Sequence, residues 1–305
     1  MRNQVLKISD IYIDDKRFLI SYPLLSRKLM ESIKKIGIIN PPVLVRRNGN
    51  PIILCGWRRI ECLKKMKIKK TLFKIFDKED DLKAFAFSFF ENVSERIFNP
   101  VEISNILNKF REFGLSDKNI IRKYLKFVDL IPNRNSFERY IRIGELPEKI
   151  KKSIAKGEFL VSNANLLMKF NHSSRLKLFT ILKRFHLTAS EQREVFEMIW
   201  EIMKRDEKSL DGIFSDLNLE EILKNINLKE KKKILRGRLK KLRYPIFSKK
   251  IDDFLKNLQF FTEGIRVHPS KYFESEKYRM EIEFKTWEEL REKIKEVQLR
   301  IKDDR

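Results

Sequence analysis

The sequence predicts a multidomain α+β protein: a mixed N-terminal domain over 1–98, an all-helical domain over 99–229, a basic linker over 230–246 and a small strand-strand-helix module over 247–305. Three observations carry this prediction. Apolar runs of strand length flank an Asn48-Gly49 pair, the apolar spacing turns almost wholly helical from about residue 100 to 230, and two strand-like runs precede a last helix. With 305 residues and 42% hydrophobic content, the chain can bury more than one core.

The elements follow in order. Leu29, Ile33 and Ile36 fall at helical spacing, and Gly37 supplies a C-terminal stop. Pro42 to Arg47 and Pro51 to Cys55 form a hairpin, because Asn48-Gly49 tolerates positive φ. A helix from Trp57 to Met66, a strand from Thr71 to Phe76 and a helix from about Asp80 to Val93 come next; the last carries Phe85, Phe87, Phe89 and Phe90 toward a core.

Ile103, Ile106, Leu107 and Phe110 then make an i, i+3, i+4, i+7 stripe. Gly114-Leu115-Ser116-Asp117 breaks it, with Ser116 as N-cap, before a helix through Ile120, Ile121, Tyr124 and Leu125. A second break at Pro132-Asn133 leads into a helix through Phe137, Tyr140, Ile141 and Ile143, stopped by Gly144 and Pro147. Two short helices around a break, the second bearing Arg134, Arg139 and Arg142, are what a helix-turn-helix requires, although any helical bundle has such pairs. The tail reads as a helix from Ile251 to Phe261, strands Ile265–His268 and Arg279–Phe284, and a helix from Trp287 to Ile301. A module of that size is marginal alone, so an apolar face that dimerises is expected.

Charge narrows the partners. Lys and Arg number 67 against 43 Asp and Glu, a formal charge of +24, which attracts polyanions: nucleic acid first, an anionic membrane surface second. No stretch of eighteen apolar residues occurs and the start lacks a signal-peptide core, so a soluble intracellular protein is expected. Two cysteines, Cys55 and Cys62, and three scattered histidines offer neither zinc-finger spacing nor a disulfide framework. Residues 230–243 hold eight basic residues and one acidic one, which suits either a solvated face or sequence-blind phosphate contact.

Two motifs could carry chemistry. Gly56-Trp57-Arg58-Arg59 stands where a strand turns into a helix; a glycine permits close approach, a helix start presents free N–H groups, and arginines add fork-shaped donors, together a cradle for polyphosphate. Glu91-Asn92 ends another helix and offers the carboxylate and amide oxygens by which Mg²⁺ is held against phosphates. Either pattern also arises as ordinary surface chemistry.

In this order the pieces resemble the ParB family of partition proteins. Leu29 to Pro41 is similar to the first helix and loop of the family's N-terminal ParB/sulfiredoxin fold, Gly56-Trp57-Arg58-Arg59 to its glycine-x-Arg-Arg box, and Glu91-Asn92 with Asn99-Pro100-Val101-Glu102 to its Glu-Asn box and asparagine-proline helix start. Leu115 to Pro147 resembles the family's helix-turn-helix, Gly157 to Ala164 the helices behind it, and the tail from Ile251 its strand-strand-helix dimerisation module. Trp57 stands where the family has Glu, Glu95 where it has Arg with Arg96 one place on, and Lys126–Pro132 lengthens the turn between the DNA-binding helices.

The resemblance implies a homodimeric clamp on double-stranded DNA at a centromere-like site, switched by CTP with Mg²⁺ and reopened by slow CTP hydrolysis to CDP and phosphate. It implies a cytoplasmic, nucleoid-associated protein without a membrane role, serving a chromosome or plasmid alongside a ParA-type ATPase. Gly56, Arg58, Arg59, Glu91 and Asn92 would bind nucleotide, Glu91 and Asn92 the metal, and Asn133, Arg134, Asn135, Ser136, Arg139 and Arg142 the DNA. The alternatives are a DNA-binding transcriptional regulator without nucleotide turnover, or a nuclease or small-molecule kinase of the same fold. Sulfiredoxin chemistry needs a cysteine where Trp57 stands.

Overall fold

The structure is a computed structural model that describes residues 1–76, 80–224, 227–258, 263–270, 273–275 and 277–303. Its packing separates two units, Met1–Lys183 with Thr188–Arg193, and Arg184–Leu187 with Glu194–Arg305.

The first unit begins with β1 (Arg2–Lys7), α1 (Arg27–Ile36), β2 (Val43–Arg47), β3 (Asn50–Cys55), α2 (Trp57–Lys65), β4 (Lys70–Phe76) and α3 (Asp81–Glu95). Asn48 and Gly49 both take positive φ, as the short β2–β3 turn demands. The strands lie in the order β1-β4-β2-β3, with β2 parallel to β4 and the other pairs antiparallel. Both faces of the inner strands are covered. Val43, Val45, Ile52 and Leu54 enter one apolar cluster with Phe18, Phe85 and Phe89, while Leu44, Ile53, Phe73 and Ile75 enter another with Ile33, Trp57 and Ile60. Alternating strand residues point to opposite faces, so double coverage is why these strands read as unbroken apolar runs. β1 is the strand the sequence hid: its side chains are half or fully exposed, so no apolar pattern marks it.

Helices α4 (Pro100–Glu112), α5 (Asp117–Tyr124), α6 (Arg134–Ile141), α7 (Glu148–Ala155), α8 (Val161–Leu167) and α9 (His172–Lys183) follow. Phe110, Ile120, Leu125 and Phe137 pack into the same cluster as Phe18, Phe85 and Phe89. Residue 98 therefore marks no packing boundary, because the mixed segment and the paired helices share one core. Phe85 meets Phe110 edge-on at 4.8 Å between ring centroids, a contact across that expected division.

Across the boundary of the units runs α10 (Ala189–Arg205), and the second unit contains α11 (Leu210–Asp216), α12 (Leu219–Lys224), α13 (Leu228–Arg243), α14 (Pro245–Leu258), β5 (Ile265–Pro269), β6 (Tyr278–Ile282) and α15 (Trp287–Asp303). Strands β5 and β6 pair antiparallel from Ile265↔Ile282 to Pro269↔Tyr278. Most of the segment expected as a basic linker is helix α13, which buries Leu235 and Leu239. Its cations are largely spent inside the unit: Arg236 meets Glu194 at 2.6 Å, Arg238 Glu221 at 2.9 Å, Lys241 Asp252 at 3.0 Å and Arg243 Glu201 at 2.6 Å. Phe261, the expected end of the helix before β5, lies outside the described residues. Among the described residues no helix is long and apolar enough to cross a membrane.

Candidate functional site

Gly56 caps the start of α2 in the left-handed region, φ 93° and ψ 23°. A Cβ there would stand 3.0 Å from both Cα and Cβ of Pro42, so glycine is needed for conformation and for space. This turn swings Arg58 and Arg59 out of the strand while Trp57 and Ile60 go into the core. Both arginines remain only partly covered.

Arg58 reaches the start of α4. Its Nη2 donates to Glu102 Oε1 at 3.0 Å and to the Tyr22 carbonyl at 3.1 Å, and its Nε donates to the Pro23 carbonyl at 3.1 Å. Arg96 donates to the same Glu102 oxygen from Nη1 at 2.7 Å, to Ser21 Oγ from Nη2 at 3.3 Å and to Asn92 Oδ1 from Nε at 3.3 Å. Arg59 donates to the Asn40 and Pro41 carbonyls and stands 3.5 Å from Glu91 Oε1. The glycine-arginine box and the Glu-Asn box are thus brought to one place, with Glu102 and Glu91 as the carboxylates between them.

Burial holds the Arg58 guanidinium below its ordinary pKa; Glu102 opposes that shift and the like charge of Arg96 adds to it. Three guanidinium groups against two carboxylates leave the cluster with an excess positive charge, which suits an anion. For a divalent cation the fit is partial. Glu91 offers a half-exposed carboxylate, but the Asn92 amide oxygen already faces the Arg96 guanidinium, which would repel a metal placed there. Among the described residues no group of three or more His, Cys, Asp or Glu side chains could hold a metal.

Sequence reasoning missed the centre of this site. Asn99-Pro100-Val101-Glu102 announces a helix start, and it is one: Asn99 Oδ1 accepts from the Val101 and Glu102 amides, while Glu102 Oε2 accepts from the Asn99 amide at 3.2 Å. That the other oxygen of Glu102 would receive two arginines 44 and 6 residues away has no local signal. The same holds for the Tyr22 backbone, which donates to Glu102 from its amide and accepts from Arg58.

Cys55 lies beside this cluster but is 1% exposed. Burial, aided by the charge of Glu91, pushes its thiol up to about 12, the reverse of what a nucleophilic cysteine requires.

The second expected site is α6. Phe137 and Ile141 anchor it in the core and leave Asn133, Arg134, Asn135, Arg139 and Arg142 exposed, with Ser136 half-buried. Asn133 is the N-cap, its Oδ1 accepting from the Ser136 amide at 2.8 Å, so that oxygen serves the helix. Arg134 is paired with Glu138 at 2.6 Å and Asp117 at 3.2 Å, which fixes it between α5 and α6. The long turn between these helices closes through a short 3₁₀ segment, Leu125–Val128, and packs Phe127 edge-on against Phe90 of α3 at 5.1 Å.

No family model matches the chain. A probable chromosome-partitioning protein ParB of Chlamydia muridarum is 27% identical over 157 residues, 48% of this chain and 53% of that protein. Another from Borreliella burgdorferi is 26% identical over 203 residues, 64% of this chain and 73% of that one. The chain spans about half the length of the first curated relatives it matches. C-terminally truncated ParB of Caulobacter crescentus, solved with CTP-gamma-S and with the centromeric parS site, aligns at 18% and 16% identity over 55% and 64% of this chain and 92% and 98% of those chains, with TM-scores of 0.28 and 0.36. In sequence, then, the chain is similar to probable chromosome-partitioning proteins ParB over about half to two thirds of its length.

Proposed function

We propose that this protein is a ParB-like, DNA-binding partition protein that binds a centromere-like site as a homodimer and closes on the duplex when its arginine cluster takes up CTP. The observation that carries the reading is the convergence of Arg58, Arg59 and Arg96 on Glu102 and Glu91, which joins two segments far apart in sequence into one cationic cluster. A polyphosphate that bridges the two boxes binds the joined arrangement better than the separated one and so shifts the population toward it. Gly56 allows the backbone approach, Arg58 and Arg59 face the phosphates, and Glu91 serves as a carboxylate ligand to a Mg²⁺ that arrives with them. Asn92 acts through Arg96.

At α6 and its two ends, Arg139 and Arg142 contact the duplex, Asn135 and Ser136 the groove edge, while Asn133 and Arg134 hold the start of the helix in place. The protein is cytoplasmic and nucleoid-associated in this reading, and a ParA-type ATPase is its motor partner. Slow hydrolysis of CTP to CDP and phosphate resets the clamp.

Three observations favour a second reading. Arg59 is engaged by backbone carbonyls, Trp57 and Glu95 stand in place of the family residues, and Arg58 is tied to a loop. A DNA-binding regulator without nucleotide turnover would look like this. Calorimetric titration with CTP, with and without bound DNA, together with phosphate release, separates the two. Saturable CTP binding that rises with DNA supports the clamp, whereas DNA binding with neither CTP uptake nor phosphate release leaves the regulator. Selection and sequencing of bound genomic fragments identifies the site.

A further inference from the structure

Glu102 is 1% exposed, so it cannot touch a ligand, yet four donors end on it: the amides of Tyr22 and Asn99 and the guanidiniums of Arg58 and Arg96. The two backbone donors fix the carboxylate. The two arginines share its Oε1, at 3.0 and 2.7 Å, which brings their nitrogens within about 6 Å of each other. Two guanidiniums that close and partly buried repel strongly unless a negative charge lies between them. Their side chains stay 26% and 21% exposed, with the carboxylate behind them.

We propose that Glu102 is the positioning residue of the phosphate site, holding Arg58 and Arg96 side by side so that a polyphosphate meets them as one preformed two-guanidinium receptor. The inference rests on the nucleotide-binding reading above and deepens it: Arg96 becomes a phosphate contact, in a chain where residue 95 is glutamate. Preorganisation of this kind lowers the ordering cost of binding, because the side chains are already paired before the ligand arrives.

The test uses the full chain, titrated calorimetrically with CTP and, separately, with sodium tripolyphosphate. Glu102→Gln keeps an acceptor for the α4 cap but removes the charge. It should weaken both ligands about tenfold and also lower the unfolding midpoint, since two guanidiniums lose their shared counter-charge; in an Arg58→Ala, Arg96→Ala background it should cost no further affinity. A merely structural role would weaken binding equally in both backgrounds. Should Glu102→Gln fail to fold, Glu102→Asp, whose carboxylate stops one methylene short, reads the same coupling. Unchanged or tighter binding by the variant, with normal binding by the unmodified chain, overturns the positioning role alone. An unmodified chain that takes up neither ligand overturns the nucleotide-binding reading and this inference with it.

Discussion

The Tyr22 hydroxyl donates to Glu148 Oε1 at 2.6 Å, joining residues 126 apart in sequence. Through its backbone the same tyrosine donates to Glu102 and accepts from Arg58 and Asn99. One residue therefore ties the arginine cluster to the start of α7, the helix that follows the proposed recognition helix.

Tyr22→Phe removes that tie without changing shape. A hydrogen bond to a partly exposed carboxylate contributes about 1 kcal/mol, so urea unfolding should show a loss of that size. Glu148 is held below its ordinary value, 4.5; burial opposes the shift, and the Tyr22 bond with Lys151 and Lys152 outweighs it. A depressed carboxylate stabilises the fold above its unfolded pKa and loses that contribution as pH falls through the folded value. Acidification from about pH 6 to about pH 3 should therefore cost Tyr22→Phe less stability than it costs the unmodified chain. An equal loss in both proteins would deny the bond any role in that limb.

Gly56→Ala should be destabilising by about 1–3 kcal/mol, since alanine strains at this positive φ and its Cβ would press on Pro42. Urea denaturation measures the loss. Because Pro42 precedes β2 and Gly56 starts α2, the strain falls between the sheet and the helix that presents Arg58 and Arg59.

Much of this architecture was legible in the sequence. The Asn48-Gly49 hairpin, the α3 phenylalanines, the paired helices α5 and α6 and the β5–β6 pair all announce themselves through local turn chemistry or apolar spacing. What stayed hidden is long-range. The strand β1 pairs with β4 through its backbone, and its side chains stay half or fully exposed with Leu6 partly packed on the core, so it carries no apolar period. Glu102 shows a capping motif locally and receives its arginines only after the chain has folded. The charge run at 231–243 shows how many cations there are, but its acidic partners, Glu194, Glu201, Glu221 and Asp252, lie on other elements.

The two cysteines should be silent toward thiol reagents. Burial raises the pKa of both, that of Cys55 to about 12, and both side chains are almost fully covered. Labelling with a chromogenic disulfide at about pH 8 should give no reaction in the native state and two equivalents after unfolding in guanidinium. Fast native labelling of either thiol would show that its site opens to solvent in the folded protein.

Helix α13 divides its cations between two jobs, and substitution should separate them. Arg236 and Arg238 are bonded to Glu194 and Glu221, and Arg238 also donates to the Leu217 carbonyl at 2.7 Å, so removing them should lower stability and leave DNA affinity little changed. Lys229 and Lys233, at the start of the helix, are exposed and have no ion pair among the described residues. If they meet phosphates, Lys229→Ala with Lys233→Ala should weaken operator and random DNA alike and reduce the slope of log affinity against log salt by about one for each phosphate left unneutralised. Arg139→Ala, on the exposed side of α6, should instead weaken the operator by about 1–3 kcal/mol more than random DNA. Fluorescence anisotropy at several salt concentrations measures all of these variants. Equal losses on both DNAs for Arg139→Ala would mean that α6 grips the backbone without reading sequence.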